Sequence, residues 1–189
     1  MKLIRTAAVL AAAFLLSNSS FSQTSHGKEM TVQVGGAPMY PSKNIVENAI
    51  NSKDHTTLVA AVKAAGLVET LQTPGPFTVF APTNEAFNML PRGTVDALLK
   101  PENKMKLSTI LTYHVVPGKL DATELSRLIK AGNGAAELNT VSGGKLWVMM
   151  DGKNIVLKDE NGGMAKVSIK NVYQSNGVIH VIDHVVMPR

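Results

Sequence analysis

The 189-residue chain contains no cysteine. That excludes disulfide scaffolds, thiolate zinc sites, iron–sulfur clusters, cysteine nucleophiles and a lipid-modified cysteine anchor. Aromatic residues are few, 5% of the chain with a single tryptophan. Charge of one sign is scarce as well: Lys plus Arg is 19 against 14 for Asp plus Glu, a formal +5. Lys2 and Arg5 lie in a segment that reads as removable. Without them 17 basic residues face 14 acidic ones, or +3. So small and dispersed an excess gives no footprint for nucleic acid. Long hydrophobic runs are missing too. Residues 7–16 (AAVLAAAFLL) form a ten-residue apolar run, short of the roughly 20 that a bilayer requires, and no second stretch reaches membrane length.

Motifs for chemistry are equally sparse. There is no Gly-x-Ser-x-Gly elbow, no His-Glu-x-x-His, no phosphate loop and no dinucleotide fingerprint. His114, His180, His184 and Asp183 lie on strands or strand ends with no evident nucleophile. His180 and His184 have metal-like spacing only on a helix; on a strand they stand about 13 Å apart. No catalytic residue, metal site or cofactor is expected.

What remains is a secreted globular domain. Lys2 and Arg5, the apolar run and the small residues of Ser20-Phe21-Ser22 make an export signal over residues 1–22, with cleavage before Gln23. The mature chain is expected outside the cytoplasm, secreted or periplasmic, with no membrane span. Residues 23–41, rich in Ser, Thr, Gly, Gln and Pro, read as a flexible leader. His26, Met30 and Met39 lie there without a repeated unit that would suit copper.

Hydrophobic residues make up 44% of the chain, enough for a core, which starts near Ser42. Ile45, Val46, Ala49 and Ile50 share a helical face. Residues 54–71 continue helically from an N-cap at Asp54, with Gly66 dividing them. After the turn at residues 73–76 a buried strand is expected over 77–81, then a short helix over 85–90 capped by Thr83 and Asn84. Helices follow over 95–99 and 103–113, a short strand over 114–118, and a helix signature at residues 121–124. Beyond Gly134 come strand-like runs at 136–141, 145–150, 154–158, 164–171 and 177–187, separated by Gly-rich turns. Helices first and a strand meander later make an α+β pattern.

Three segments carry a family resemblance. Phe77-Thr78-Val79-Phe80-Ala81-Pro82-Thr83-Asn84-Glu85-Ala86-Phe87 resembles the first signature box of the fasciclin (FAS1) domain. Asn176-Gly177-Val178-Ile179-His180-Val181-Ile182-Asp183, with Val185-Val186-Met187-Pro188, resembles the second, and Leu111-Thr112-Tyr113-His114-Val115-Val116-Pro117-Gly118 the Tyr-His segment between them. The resemblance covers residues 44–188 and marks 42–189 as one such domain. It implies a wedge-shaped β-sandwich packed against several α-helices, a family associated with cell adhesion and matrix or surface contacts, and no general enzymatic activity. It also implies that Tyr113 and His114, with Leu111, Val115 and Val116, contact integrin-like receptors in animal members. One departure stands out: Asn171 occupies a position, five before the Asn-Gly pair, where an acidic residue is common.

Read as residues alone, Thr83 and Asn84 suit a strand-to-helix cap, and Asn176-Gly177 a two-residue turn with positive φ. His180 in its apolar strand suits a neutral, hydrogen-bonded core group, with Asp183 and Asn84 as polar partners of the same region. Tyr113, His114, Val115 and Val116 have two readings, a partner-binding patch or a packed corner in which His114 satisfies a backbone group. Trp147, Met149 and Met150 form an exposed apolar strip, or Trp147 joins Leu146 and Val148 in the core. The functional expectation is a non-catalytic adhesion module whose partner is a cell-surface or matrix protein or polysaccharide. The alternative is an extracytoplasmic small-ligand carrier with a pocket between sheet and helices.

Overall fold

A computed structural model describes residues 30–189; the expected export signal lies outside the described residues. The chain opens with a hairpin, β1 (Val32–Val34) and β2 (Ala37–Met39). Helical segments follow: α1 (Ile45–Ala49), a 3₁₀ turn at Lys53–His55, α2 (Thr56–Ala65) and α3 (Val68–Gln72). Next come β3 (Phe77–Pro82), α4 (Asn84–Asn88), α5 (Thr94–Leu98), α6 (Lys104–Tyr113), β4 (Val115–Pro117) and α7 (Ala122–Ala131). The meander is β5 (Ala135–Asn139), β6 (Lys145–Asp151), β7 (Asn154–Lys158), β8 (Met164–Gln174) and β9 (Gly177–Ile182).

Seven strands form a sheet in the order β4-β3-β9-β8-β7-β6-β5. Every pairing is antiparallel except that of β3 with β9. The two ends of the sheet meet where Val141 donates its N–H to the Val115 carbonyl at 2.8 Å. The result is a rolled, barrel-like sandwich with helices packed on it. The α+β expectation is met.

Strand alternation divides the interior into two cores. On β3, Val79 and Ala81 face the helices α1, α2 and α6, while Phe80 faces the meander; on β9, Ile179 and Val181 contrast with Ile182 in the same way. These strands are buried on both faces, which is why they read as unbroken apolar runs. The meander strands send one face into the second core: Leu146 and Val148, Ile155 and Leu157, Ala165 and Val167 pack there with Leu125 and Ile129 of α7.

Several expectations are corrected. Residues 32–39 are not a flexible leader. Val34 and Met39 are buried in the first core, and Gly35 and Gly36, at φ 58° and 76°, turn the hairpin between them. The turn presses so close to the 3₁₀ segment that a Cβ on Gly35 would lie 2.3 Å from Ser52 Oγ. Asp54 does not cap α2. That work falls to Asn84, whose Oδ1 accepts from the Thr57 N–H at 3.0 Å, while Thr83 Oγ1 caps α4 through Ala86. Asn176 and Gly177 are not the positive-φ turn either, because the turn is Ser175-Asn176 and Gly177 already pairs with Gln174. Gly177 is needed for closeness: a Cβ there would lie 2.1 Å from the Phe77 carbonyl oxygen. Asn171 adopts φ 62° at an irregularity in β8, and its Oδ1 accepts the N–H of Ala122 at 2.7 Å, tying β8 to the start of α7.

Candidate functional site

Tyr113 ends α6, and the chain turns there into β4. Its ring is 0% exposed and packs against Gly144, where a Cβ would stand 2.7 Å from Tyr113 Cε2. The hydroxyl donates to the Lys145 carbonyl at 2.6 Å and accepts the Glu160 N–H at 3.2 Å. Burial, with the nearby Glu160 and Asp159 charges, pushes its pKa up to about 12. The group is a neutral tie between α6 and two turns of the meander.

His114 is 3% exposed. Nε2 accepts the Val186 N–H at 3.2 Å, so the proton sits on Nδ1, which donates to the Ile110 carbonyl at 2.8 Å. Burial lowers its pKa to about 4 against the opposing effects of Ile110 and Asp159. Val115 and Val116 are buried on opposite faces of β4, one in each core. All four residues of the expected binding segment are therefore inside the protein, and both polar side chains already have partners.

The 159–163 turn completes this corner. Asp159 Oδ1 accepts the N–H groups of Asn161 and Gly163, and Oδ2 that of Met187. Asn161 Nδ2 donates to the Met187 and Pro188 carbonyls; Glu160 accepts the N–H groups of Lys145 and Arg189. Together with His114 these bonds clamp the segment 185–189, so the strand expected over 177–187 ends at Ile182. No sequence motif announces the clamp. Its one local signal is Asp159-Glu160-Asn161-Gly162-Gly163, which suits a turn.

The other expected residues are placed as follows. His180 is fully buried, stacks on Phe80 with centroids 5.7 Å apart, and donates from Nε2 to the Leu120 carbonyl at 2.8 Å. Its pKa is lowered, chiefly by burial. Asn176 gathers the helices, accepting the Ile45 N–H at 3.0 Å and donating to the Leu71 and Thr73 carbonyls. Asp183 accepts from the Lys166 N–H and from His184, each at 2.8 Å. It follows the Pro82–Ile182 pair, close to Asn84, but Asn84 bonds instead to Thr56, Thr57 and Lys53, and the two side chains share no hydrogen bond.

The opposite face of the meander looks outward. Trp147 and Met149 alternate with the buried Leu146 and Val148 and are only half-buried. Register sets Trp147 between Glu137 and Lys158, and Met149 between Ala135 and Val156. Met164, exposed, stands beside Lys158. Val156 is buried although it belongs to neither core; its outward neighbours are Met149 and Lys166. Glu160 and Asn161 of the clamp wall one side of an open groove floored by Trp147 and Met149. The direction of Trp147 follows from strand pairing: across the Gly152-Lys153 turn it falls opposite Lys158, whereas Val148 falls opposite Leu157.

The arrangement is an α+β scaffold with an inward, hydrogen-bonded corner around Tyr113, His114 and the 159–163 turn and an outward sheet face. Among the described residues no group of three or more His, Asp or Glu side chains is placed to hold a metal ion, and no helix is long and apolar enough to cross a membrane. The sequence profile of the Fasciclin domain matches residues 53–188. Protein sll1483 of Synechocystis is 48% identical over 161 residues, covering 85% of this chain and 82% of that protein. The immunogenic protein MPB70 of Mycobacterium bovis is 35% identical over 145 residues (74% of this chain, 66% of MPB70). Human periostin is 32% identical over 144 residues, 76% of this chain but 16% of periostin. A FAS1 domain pair from the insect cell adhesion molecule Fasciclin I superposes with a TM-score of 0.69 at 16% identity, covering 85% of this chain and 58% of that one. The chain belongs to the fasciclin family.

Proposed function

We propose that the protein is a non-catalytic adhesion module that works outside the cytoplasm and makes its contact through the outward face of β5–β8. The observation that carries this is the Trp147–Met149 face: partly exposed apolar side chains, outside both cores, flanked by Lys158, Glu160 and Asn161. An aromatic floor with polar walls is the composition of contact surfaces, where tryptophan supplies area and its N–H a directional bond. Tyr113, His114, Val115 and Val116 serve this surface as its frame, since the Tyr113 hydroxyl fixes Lys145 at the head of β6 and Glu160 in the groove wall. The partner is a cell-surface or matrix protein or polysaccharide. Likeness to a domain pair of a cell adhesion molecule supports the reading. The charged start, the apolar run and Ser20-Phe21-Ser22 support export.

The test is attachment of the purified protein to native envelope and matrix material, with melting temperature measured on the same preparation. Trp147→Ser should lose most attachment with its fold intact. Full attachment by a folded Trp147→Ser protein would overturn the proposal.

A further inference from the structure

An apolar cavity of about 110 Å³ lies between the helices and the sheet. Ile45, Leu58, Val62 and Leu71 wall it from the helical side, and Val79 and Ile179 from the sheet. Ile50, Lys63 and Thr70 border it and are exposed, so its rim reaches solvent. Most polar groups around it are either at this rim or already engaged. Thr112 Oγ1 donates back to the Ser108 carbonyl, and both nitrogens of His114 have partners.

His55 is different. It is buried, its Nδ1 lies 2.8 Å from Ser52 Oγ, and its Nε2 has no hydrogen-bond partner. Two proton placements are possible for the pair. If Nδ1–H donated to Ser52, the serine hydroxyl proton and the Nε2 lone pair would both be left over. If Ser52 donates to Nδ1, one group remains unpaired, an Nε2–H donor. The second leaves fewer buried groups unsatisfied. Burial lowers the His55 pKa against the opposing effects of the Ala81 backbone and the Asp54 charge, so the ring is held neutral. The other such atom among the described residues, His180 Nδ1, does not line the cavity.

We propose that this cavity binds a small apolar molecule carrying one hydrogen-bond acceptor, and that His55 Nε2–H is the group that recognises the acceptor. Size, polarity and charge each narrow the ligand. A dry cavity of about 150 Å³ accepts benzene, so the space here suits a ring or chain of roughly five or six heavy atoms. A single donor cannot hold a water, which needs two to four polar partners. It does suit a ketone, aldehyde or ether oxygen. A carboxylate or ammonium is excluded by the cost of burying its charge among aliphatic side chains. The site is separate from the Trp147 face, so either proposal stands or falls alone.

Cyclopentanone and cyclopentane differ by the acceptor and suit the space. Titrating each into the whole protein while following methyl resonances of Val62, Leu71 and Ile179 should give saturable shifts, with cyclopentanone at least fivefold tighter. His55→Phe should abolish the preference for the ketone. Val62→Phe, which fills the cavity from its wall, should abolish binding of both probes while the melting temperature holds or rises. The proposal is overturned if neither probe gives saturable shifts in the wild-type protein, if the two bind equally, or if a folded His55→Phe protein keeps the preference.

Discussion

Tyr113 ends α6 wholly inside the protein, whereas Trp147 on β6 is partly exposed to solvent. Both are amphipathic aromatics of the kind that make contacts. Tyr113 has no capacity left: its ring fills the space over Gly144, and its hydroxyl gives one bond and takes one. Trp147 shares its strand with two core residues but faces the other way, and neither core includes it. An aromatic side chain is therefore open to a partner according to which face its backbone presents, and chemical type does not decide it.

The largest expected effect is at the inward corner. Tyr113→Ala removes a fully buried ring and should cost about 3–5 kcal/mol, as truncation of buried aromatics does. Tyr113→Phe keeps the ring but unpairs the Lys145 carbonyl and the Glu160 N–H, and should cost about 1–3 kcal/mol. Urea denaturation of both variants measures the two terms separately. A Tyr113→Ala protein as stable as the wild type would erase the distinction between the two aromatics.

Next in size is a dependence on pH. The folded pKa of His114, about 4, lies below the ordinary 6.5 because burial opposes the charge. Between those values the unfolded chain binds a proton that the folded one refuses, so stability rises with pH through this window. It should be fully present above about 6.5 and fall by roughly 3 kcal/mol as the pH drops to about 4, from 1.36 kcal/mol per unit. His55 and His180, both lowered chiefly by burial, act in the same direction. Protonated Nε2 could no longer accept from Val186, so the clamp on residues 185–189 should loosen first. Denaturation curves at pH 7.5, 5.5 and 4.5, repeated with His114→Gln, check this. An unchanged slope in the variant would assign the loss to other groups.

Much of the α+β plan was legible because periodicity and turn residues agree with the final packing: the β3 run, the Gly66 stop and the Asp121 cap lie where the pattern puts them. What escaped was long-range. Residues 32–39 look like linker because three-residue strands carry little periodicity. Their order comes from docking of Val34 and Met39 on the first core and from the Lys53 N–H bond to the Gly35 carbonyl. Asn84 reads as the cap of the helix it begins, yet its side chain reaches back to α2, a pairing that requires the fold. The exposure of Trp147 depends on strand pairing, and the groove wall depends on a clamp whose partners are as much as 72 residues apart in sequence.

Removing the Asn84 side chain tests how far such a stitch matters. Asn84→Ala strips the Thr57 N–H and the Lys53 carbonyl of their partner. The site is only partly buried, so water replaces part of the loss, and about 1–2 kcal/mol is expected, the range for a lost cap. Thermal denaturation reads it directly. Loss of more than about 3 kcal/mol would mean that the box supports the core as Tyr113 does.

The smallest effect on stability is expected at Trp147, and it sharpens the comparison most. Truncating a large aromatic ordinarily costs as much as Tyr113→Ala, so similar costs at both sites would mean that direction on the strand is immaterial. Trp147 is only partly buried, however, and its indole N–H makes no bond in the protein that truncation would break. The ring also lies against a strand face rather than in a closed space, so the gap it leaves opens to solvent instead of becoming a cavity. Only the cover it lends to that face is lost, and Met149 and the stems of Lys158 and Lys166 remain beside Val156. Trp147→Ser should therefore cost about 1 kcal/mol or less, with an unchanged denaturant slope. Measured beside Tyr113→Ala in the same buffer, it predicts a gap of several kcal/mol between two aromatic truncations. A cost near that of Tyr113→Ala would place Trp147 in the supporting structure and leave the outward face without its anchor.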